Sequence, residues 1–176
     1  MDNLVLQAMA KWPNVPDCYG WLGLDARGDW YMRDDQVQQQ GAFSVSKGSR
    51  LLHDKLIAFI SRNYDCDKQG NWYFQNGPQR VFVELEATPW IWRLMPDGGI
   101  QSHTGLDARM QRCVLDEHGR LYLETELGFG LVHTQDMLAA SDLIESGLWV
   151  PQEDVRTSDL PQRFGYVRSP QQASKK

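Results

Sequence analysis

One short turn gathers a guanidinium and several carboxamides. In Trp72-Tyr-Phe-Gln-Asn-Gly-Pro-Gln-Arg-Val81, the pair Asn76-Gly77 marks a tight turn of type I′, and Gln75, Gln79 and Arg80 crowd around it. A minimal hairpin needs only the Asn-Gly pair. Arg80 adds a planar fork of donors that matches a carboxylate or phosphate. Gln79 and Asn76 add amide donors and acceptors. Arg62, on a helix just upstream, is placed to join them. Trp90 and Trp92 alternate along a strand, so both face one side, where they would floor a groove or pack under a helix, packing being the better reading. This set, Arg80, Gln79, Asn76, Arg62, Trp90 and Trp92, is the chemistry of holding a small anion.

The patterns of catalysis and metal binding are thinner. Asp65-Cys66-Asp67-Lys68-Gln69-Gly70 starts like a calcium loop, with ligands at its first and third positions and glycine at its sixth. Asn76 stands where the bidentate glutamate belongs, so a turn is the better reading. His53, His103, His118 and His133 are far apart, and no two share metal-ligand spacing. Glu84 and Glu86 fall on one face of a strand, a pairing that could divide acid and base roles. Gly128-Phe-Gly130 lacks the third glycine of a dinucleotide fingerprint. A hydrolase or metal site would have to be assembled from distant residues such as His53, His103, Glu84 and Glu86. No catalytic residue, cofactor or metal is assigned.

The scaffold around these residues is written in a recurring phrase. Asp25-Ala-Arg-Gly28-Asp-Trp30-Tyr31, Asp67-Lys-Gln-Gly70-Asn-Trp72-Tyr73 and Asp116-Glu-His-Gly119-Arg-Leu121-Tyr122 each place Asp, then Gly three residues on, then a large apolar residue and Tyr. Asp bonds its own backbone and Gly accepts positive φ, so each phrase is a turn feeding a strand. Helical spacing marks three helices, over 2–12, 50–64 (capped by Ser49) and 135–146 (capped by Thr134, stopped by Gly147). Asp34–Lys47 reads as a mobile loop and Phe164–Val167 as a last strand. The fold class is α+β: antiparallel sheets of hairpins with about three helices. The span 1–168 reads as a single compact domain, built from similar small lobes over 17–95 and 96–168, with 169–176 a disordered tail.

The chain has 176 residues, seven of them Trp, and a net charge of −5. The charges are interspersed, which disfavours nucleic acid as a partner. Cys18, Cys66 and Cys113 have no redox or metal spacing and read as reduced thiols. No signal peptide or membrane-length apolar run is present. These traits point to the cytoplasm.

The phrases Lys11-Trp-Pro-Asn-Val-Pro16, Tyr19-Gly-Trp-Leu-Gly-Leu-Asp25, Phe74-Gln-Asn-Gly-Pro-Gln-Arg-Val81, Gly128-Phe-Gly130 and Phe164-Gly-Tyr-Val-Arg-Ser-Pro170 resemble a family of small proteobacterial proteins of unknown function, over nearly the whole chain. A looser similarity is to a second bacterial family of unknown function. It rests on the order Gly48-Ser49, helix, Asp67–Gly70, Trp72–Phe74, Gly77-Pro78 and Val81–Leu85. That resemblance implies repeated helix-plus-sheet motifs and a role in signal transduction. Gln79-Arg80 stands where that family has an acidic–basic pair.

Together these readings describe a non-enzymatic protein that binds a small anionic ligand in a regulatory or signalling role. The alternatives are a protein–protein interaction module and the dispersed hydrolase or metal enzyme. Its oligomeric state is not written in the sequence.

Overall fold

A computed structural model describes residues 1–175, and for Glu153 and Asp154 the backbone alone. The chain divides into two compact units. The first contains residues 1–25, 29–86 and the returning C-terminal segment; the second contains 26–28 and 87–165. The boundary therefore falls at Glu86 rather than at residue 95.

The first unit runs α1 (Asn3–Lys11), β1 (Cys18–Leu24), β2 (Trp30–Met32), α2 (Asp35–Gln39), β3 (Ser49–Arg50), α3 (Asp54–Arg62), β4 (Tyr64–Cys66), β5 (Trp72–Asn76) and β6 (Gln79–Leu85). Its sheet order is β3-β2-β1-β6-β5-β4. The hairpins are antiparallel, but β6 closes the meander by lying parallel to β1, with Leu22 opposite Val83. The second unit runs β7 (Trp90–Leu94), β8 (Ile100–Ser102), β9 (Asp107–Ala108), β10 (Met110–Asp116), β11 (Leu121–Thr125), β12 (Gly128–Val132), α4 (Met137–Glu145), β13 (Gln152–Val155) and α5 (Leu160–Phe164). Its order is β13-β10-β11-β12-β7-β8-β9, with β12 parallel to β7. Apart from β13, a seventh strand added beside β10, the two sheets repeat one topology, so the similar lobes are real. The sheets are mixed rather than purely antiparallel. Where the first unit inserts α3 between β3 and β4, the second has only Arg109 between β9 and β10.

The Asp-Gly phrase is a turn each time. Asp67 Oδ1 accepts the amides of Gln69 and Asn71, and Asp116 Oδ1 those of His118 and Arg120, all at 2.9 Å. Two further segments adopt the same loop without the phrase. Met95–Gly99 and Ser102–Leu106 close the same first-to-fifth backbone bond, and Gly98 and Gly105 take φ of +85° and +84°, matching Gly28 and Gly70 at +84°. The β5–β6 hairpin differs. Asn76 pairs with Gln79, so the two loop residues are Gly77 and Pro78. Proline cannot take the positive φ that type I′ needs at its second position; Gly77 at φ +57° followed by proline is the II′ pattern.

Among the described residues six helices form instead of about three. The extra ones, α2, α5 and α6 (Pro170–Ala173), are one turn or little more, too short for periodicity to reveal. Ser49 belongs to β3, and α3 starts at Asp54 with His53 as its cap, the Nδ1 atom accepting the Leu56 amide. His133, not Thr134, caps the 3-10 turn that leads into α4. The expected strand at 164–167 is the end of α5, stopped by Gly165 at φ +68°. The expected loop at 34–47 contains α2, capped by Asp34. Residues 169–175 of the expected disordered tail carry α6; Lys176 lies outside the described residues. Among the described residues, no helix is long and apolar enough to cross a membrane.

Candidate functional site

The two faces of the first sheet have different tasks. Val81, Val83 and Leu85 point to one face of β6, and Arg80, Phe82 and Glu84 to the other. Helix α3 covers the first face. Its Leu56, Phe59 and Ile60 recur at three- and four-residue steps and so form one stripe. Phe59 meets Phe74 edge to face, with ring centroids 5.4 Å apart. The stripe does not seal against the sheet. A cleft of about 280 Å³ remains between Leu56, Phe59 and Ile60 on the helix and Leu22, Met32, Phe74 and Val81 on the strands. Cys18 and Trp21 complete the wall, and Asn76 contributes its one carboxamide. Burial pushes the Cys18 thiol up, so it stays protonated and acts as a small apolar group. Met32 and Leu56 form partly exposed lips, at 41% and 37%.

Of the six residues expected to bind an anion, Asn76 lines this cleft. Gln79 has its amide bonded to the Pro16 carbonyl at 3.0 Å. Arg80 lies on the opposite face, its guanidinium 5.1 Å from the Tyr73 ring centroid, and makes no ion pair among the described residues. Tyr73 in turn meets Phe82, which stacks on Tyr19 at 4.7 Å. Arg62 is drawn away from this set. It pairs with Asp2 through Nε and Nη2, at 3.2 Å each, and ties the start of α1 to the end of α3. Trp90 and Trp92 belong to the core of the second unit, at 5% and 0% exposure. Their indole N–H groups donate to the carbonyls of Leu127 and Leu123. They stack on each other rather than floor a groove.

Glu84 and Glu86 separate chemically. Glu84 is buried, and burial pushes its carboxyl up, against hydrogen bonds from Ser169 and Gln171 that favour the charged form. Glu86, just past β6, pairs with Lys47 at 2.8 Å, and Lys47 also reaches Asp25 at 3.6 Å. The histidines serve structure. His53 and His133 cap helices. His103 is half-buried, and desolvation of its ring pushes its pKa down to about 3 and keeps it neutral. The Asp67 carboxylate is occupied by its own turn and by Asn71. Among the described residues, no three His, Cys, Asp or Glu side chains gather as a metal site.

Arg33 was not visible in the sequence as a site residue. It is fully buried, and its guanidinium donates to the carbonyls of Ser46, Gly20 and Gly41 at 3.1, 3.2 and 2.6 Å. It pins the 34–48 loop to β1. Nothing in Met32-Arg-Asp34 signals that role. The second unit has open depressions of about 710 and 500 Å³ beside the edge strand β9, walled by groups such as Asp107, Arg109, Gln111 and Glu126.

No curated protein matches the chain. The fold is similar to a solved DUF1285 family protein from Silicibacter pomeroyi DSS-3, with a TM-score of 0.51 and 14% identity over 81% of this chain and 85% of that one. A DUF1285 family protein from Shewanella baltica OS155 aligns with a TM-score of 0.47 and 15% identity, over 69% of this chain and 91% of that one. At such identity the first likeness is one of fold. Over residues 1–171 the chain matches the family DUF2944, described as "Protein of unknown function (DUF2946)", and it belongs to that family.

Proposed function

We propose that this chain is a binding protein for a small, largely apolar molecule, and that its site is the cleft under α3. The observation that carries the reading is the cleft's lining: apolar side chains from one helix and four strands, with a single carboxamide, Asn76, to orient a polar end. Ligand sites have this composition. A volume of about 280 Å³ suits one aromatic ring system or a short alkyl chain. Such a role is regulatory rather than chemical, because the lining supplies apolar contact, and its one thiol, Cys18, is kept protonated by burial. The test is ligand-observed NMR with 1-naphthol as probe. Saturable binding is expected, and Val81→Phe, which fills the cleft, should abolish it with the circular dichroism spectrum intact. Equal binding by that variant overturns the placement.

A second reading places an anionic ligand at Arg80. It is favoured by the guanidinium that lies over Tyr73 without an acidic partner among the described residues. Charge-assisted, planar recognition of a carboxylate or sulfate is what such a group does. Titration with sulfate should then shift the Arg80 Nε resonance, and Arg80→Ala should leave 1-naphthol binding unchanged. An Arg80 resonance that ignores sulfate removes this reading.

A further inference from the structure

After α5 the chain returns to the first unit and lies on the Glu84 face of its sheet. Six contacts hold it there. The Val167 amide donates to the Gly70 carbonyl at 2.9 Å, and the Leu85 amide to the Arg168 carbonyl at 2.8 Å. Arg168 Nη2 donates to the Glu86 carbonyl. The Ser169 hydroxyl and the Gln171 amide donate to the two carboxylate oxygens of Glu84, at 2.5 and 3.0 Å. The Gln171 carboxamide donates to Gln38 at 2.9 Å.

Tyr166, 5% exposed, anchors the start of the segment in the core. Beyond it the attachment is mostly polar: between residues 167 and 175, Pro170 is the only buried side chain. A segment held by exchangeable hydrogen bonds with little apolar area opens more readily than the sheet beneath it. Under it lies Glu84, 3% exposed and in no ion pair among the described residues. The floor is also shaped to receive the segment. Gly20, at φ +81°, has no side chain, and a methyl group there would collide with the Gln171 carboxamide.

We infer that residues 167–175 are a releasable strap latched by Glu84, which covers a carboxylate-floored groove and opens without unfolding the sheet. Closing the strap takes the carboxylate out of water. Burial therefore raises the Glu84 pKa above its ordinary 4.5 in the closed form, while the open form keeps the ordinary value. The closed form thus takes up a proton between the two values. Acid tightens the strap; above the raised value the closed form bears a buried charge, and the strap loosens. Arg33 faces Glu84 from the loop after β2 and Lys175 from the strap itself. Both favour the charged form and moderate the effect without reversing it. Arg168 is directed at the Glu86 carbonyl.

Hydrogen–deuterium exchange of the full chain at pH 5 and pH 8, corrected for intrinsic rates, tests this. Peptides covering 167–175 should be protected more strongly at pH 5 than at pH 8, while peptides from β5 stay protected at both. Glu84→Gln should remove the difference between the two pH values. Ser169→Ala should exchange several-fold faster than the parent in the strap alone. Strap protection that is the same at both pH values, a Glu84→Gln variant with the parent's pH response, or strap and sheet opening only together would each overturn the inference.

Discussion

The hydroxyl of Thr157 donates to Oδ2 of Asp116 at 3.0 Å, although the two residues are far apart in sequence. The same oxygen receives the Tyr122 phenol at 2.8 Å and Arg120 Nε at 2.8 Å. The other oxygen holds the turn through the amides of His118 and Arg120. One carboxylate thus closes the third Asp-Gly turn and anchors the segment that leads into α5. In the Asp67 turn the equivalent oxygens bond the turn's amides and Asn71.

Asp116→Ala should therefore cost far more than a turn mutation. It leaves the buried Tyr122 hydroxyl and several other donors without their acceptor. An unsatisfied buried donor costs about 1–3 kcal/mol, so a loss on the order of 4 kcal/mol is expected in urea unfolding. Asp67→Ala, whose turn is more exposed, should lose about 1 kcal/mol. Comparable losses at the two positions would contradict the hub.

The same hub sets an acid limit. Hydrogen bonds from backbone and side chains lower the Asp116 pKa to about 2, against an ordinary 3.8. A depressed carboxylate contributes stability that is present above the ordinary value and lost as pH falls through the folded one. Melting temperature should therefore fall between about pH 4 and pH 2, and Asp116→Asn should show a shallower fall over that window. An identical acid profile in the variant would exclude Asp116 as a cause.

Arg33 makes the converse case. Its burial lowers the guanidinium pKa, yet the group stays charged because arginine starts so high. Arg33→Met would keep the volume and remove three donors from the carbonyls of Gly20, Gly41 and Ser46. A cost of about 3 kcal/mol or more is expected, with exchange protection lost first in the 34–48 loop. Arg33→Lys should recover only part, since an ammonium cannot reproduce the planar fork. Full recovery by lysine would show that charge alone matters.

What was legible in the sequence follows physical range. The hairpins at Asp25, Asp67 and Asp116 were readable because an Asx turn is local chemistry. The copy at Ser102 was not, because a backbone loop of the same shape needs only a suitably placed glycine. Helix α3 and its Leu56, Phe59 and Ile60 stripe were readable from period. The cleft that the stripe leaves open was not, since it depends on which strands pair beneath it. The parallel contact of β6 with β1 brings Leu22 beside Val83 across sixty-one residues of chain, and no local signal encodes it. Asn76 was singled out for its turn, yet it lines the cleft; the alternation of Trp90 and Trp92 allowed a groove floor or packing, and they pack in a core. Composition names the side chain, and only pairing decides what it faces.

Gly23 gives that point an experiment. It lies in β1 opposite Glu84 and Tyr31, on the face covered by the 34–48 loop. A methyl group at this position would enter the ring of Phe43, which is itself 3% exposed and packs edge to face on Tyr31 at 5.9 Å. The glycine is thus required by the approach of an aromatic ring rather than by a turn. Gly23→Ala should cost about 2 kcal/mol through overpacking. Phe43→Leu alone should cost about 1–2 kcal/mol by leaving space. If the two positions are in contact as described, the double variant should be more stable than the sum of the single losses by about 1 kcal/mol or more. Strict additivity in the double-mutant cycle would mean that Phe43 does not rest on Gly23, and that the loop is held to the sheet by Arg33 and Lys47.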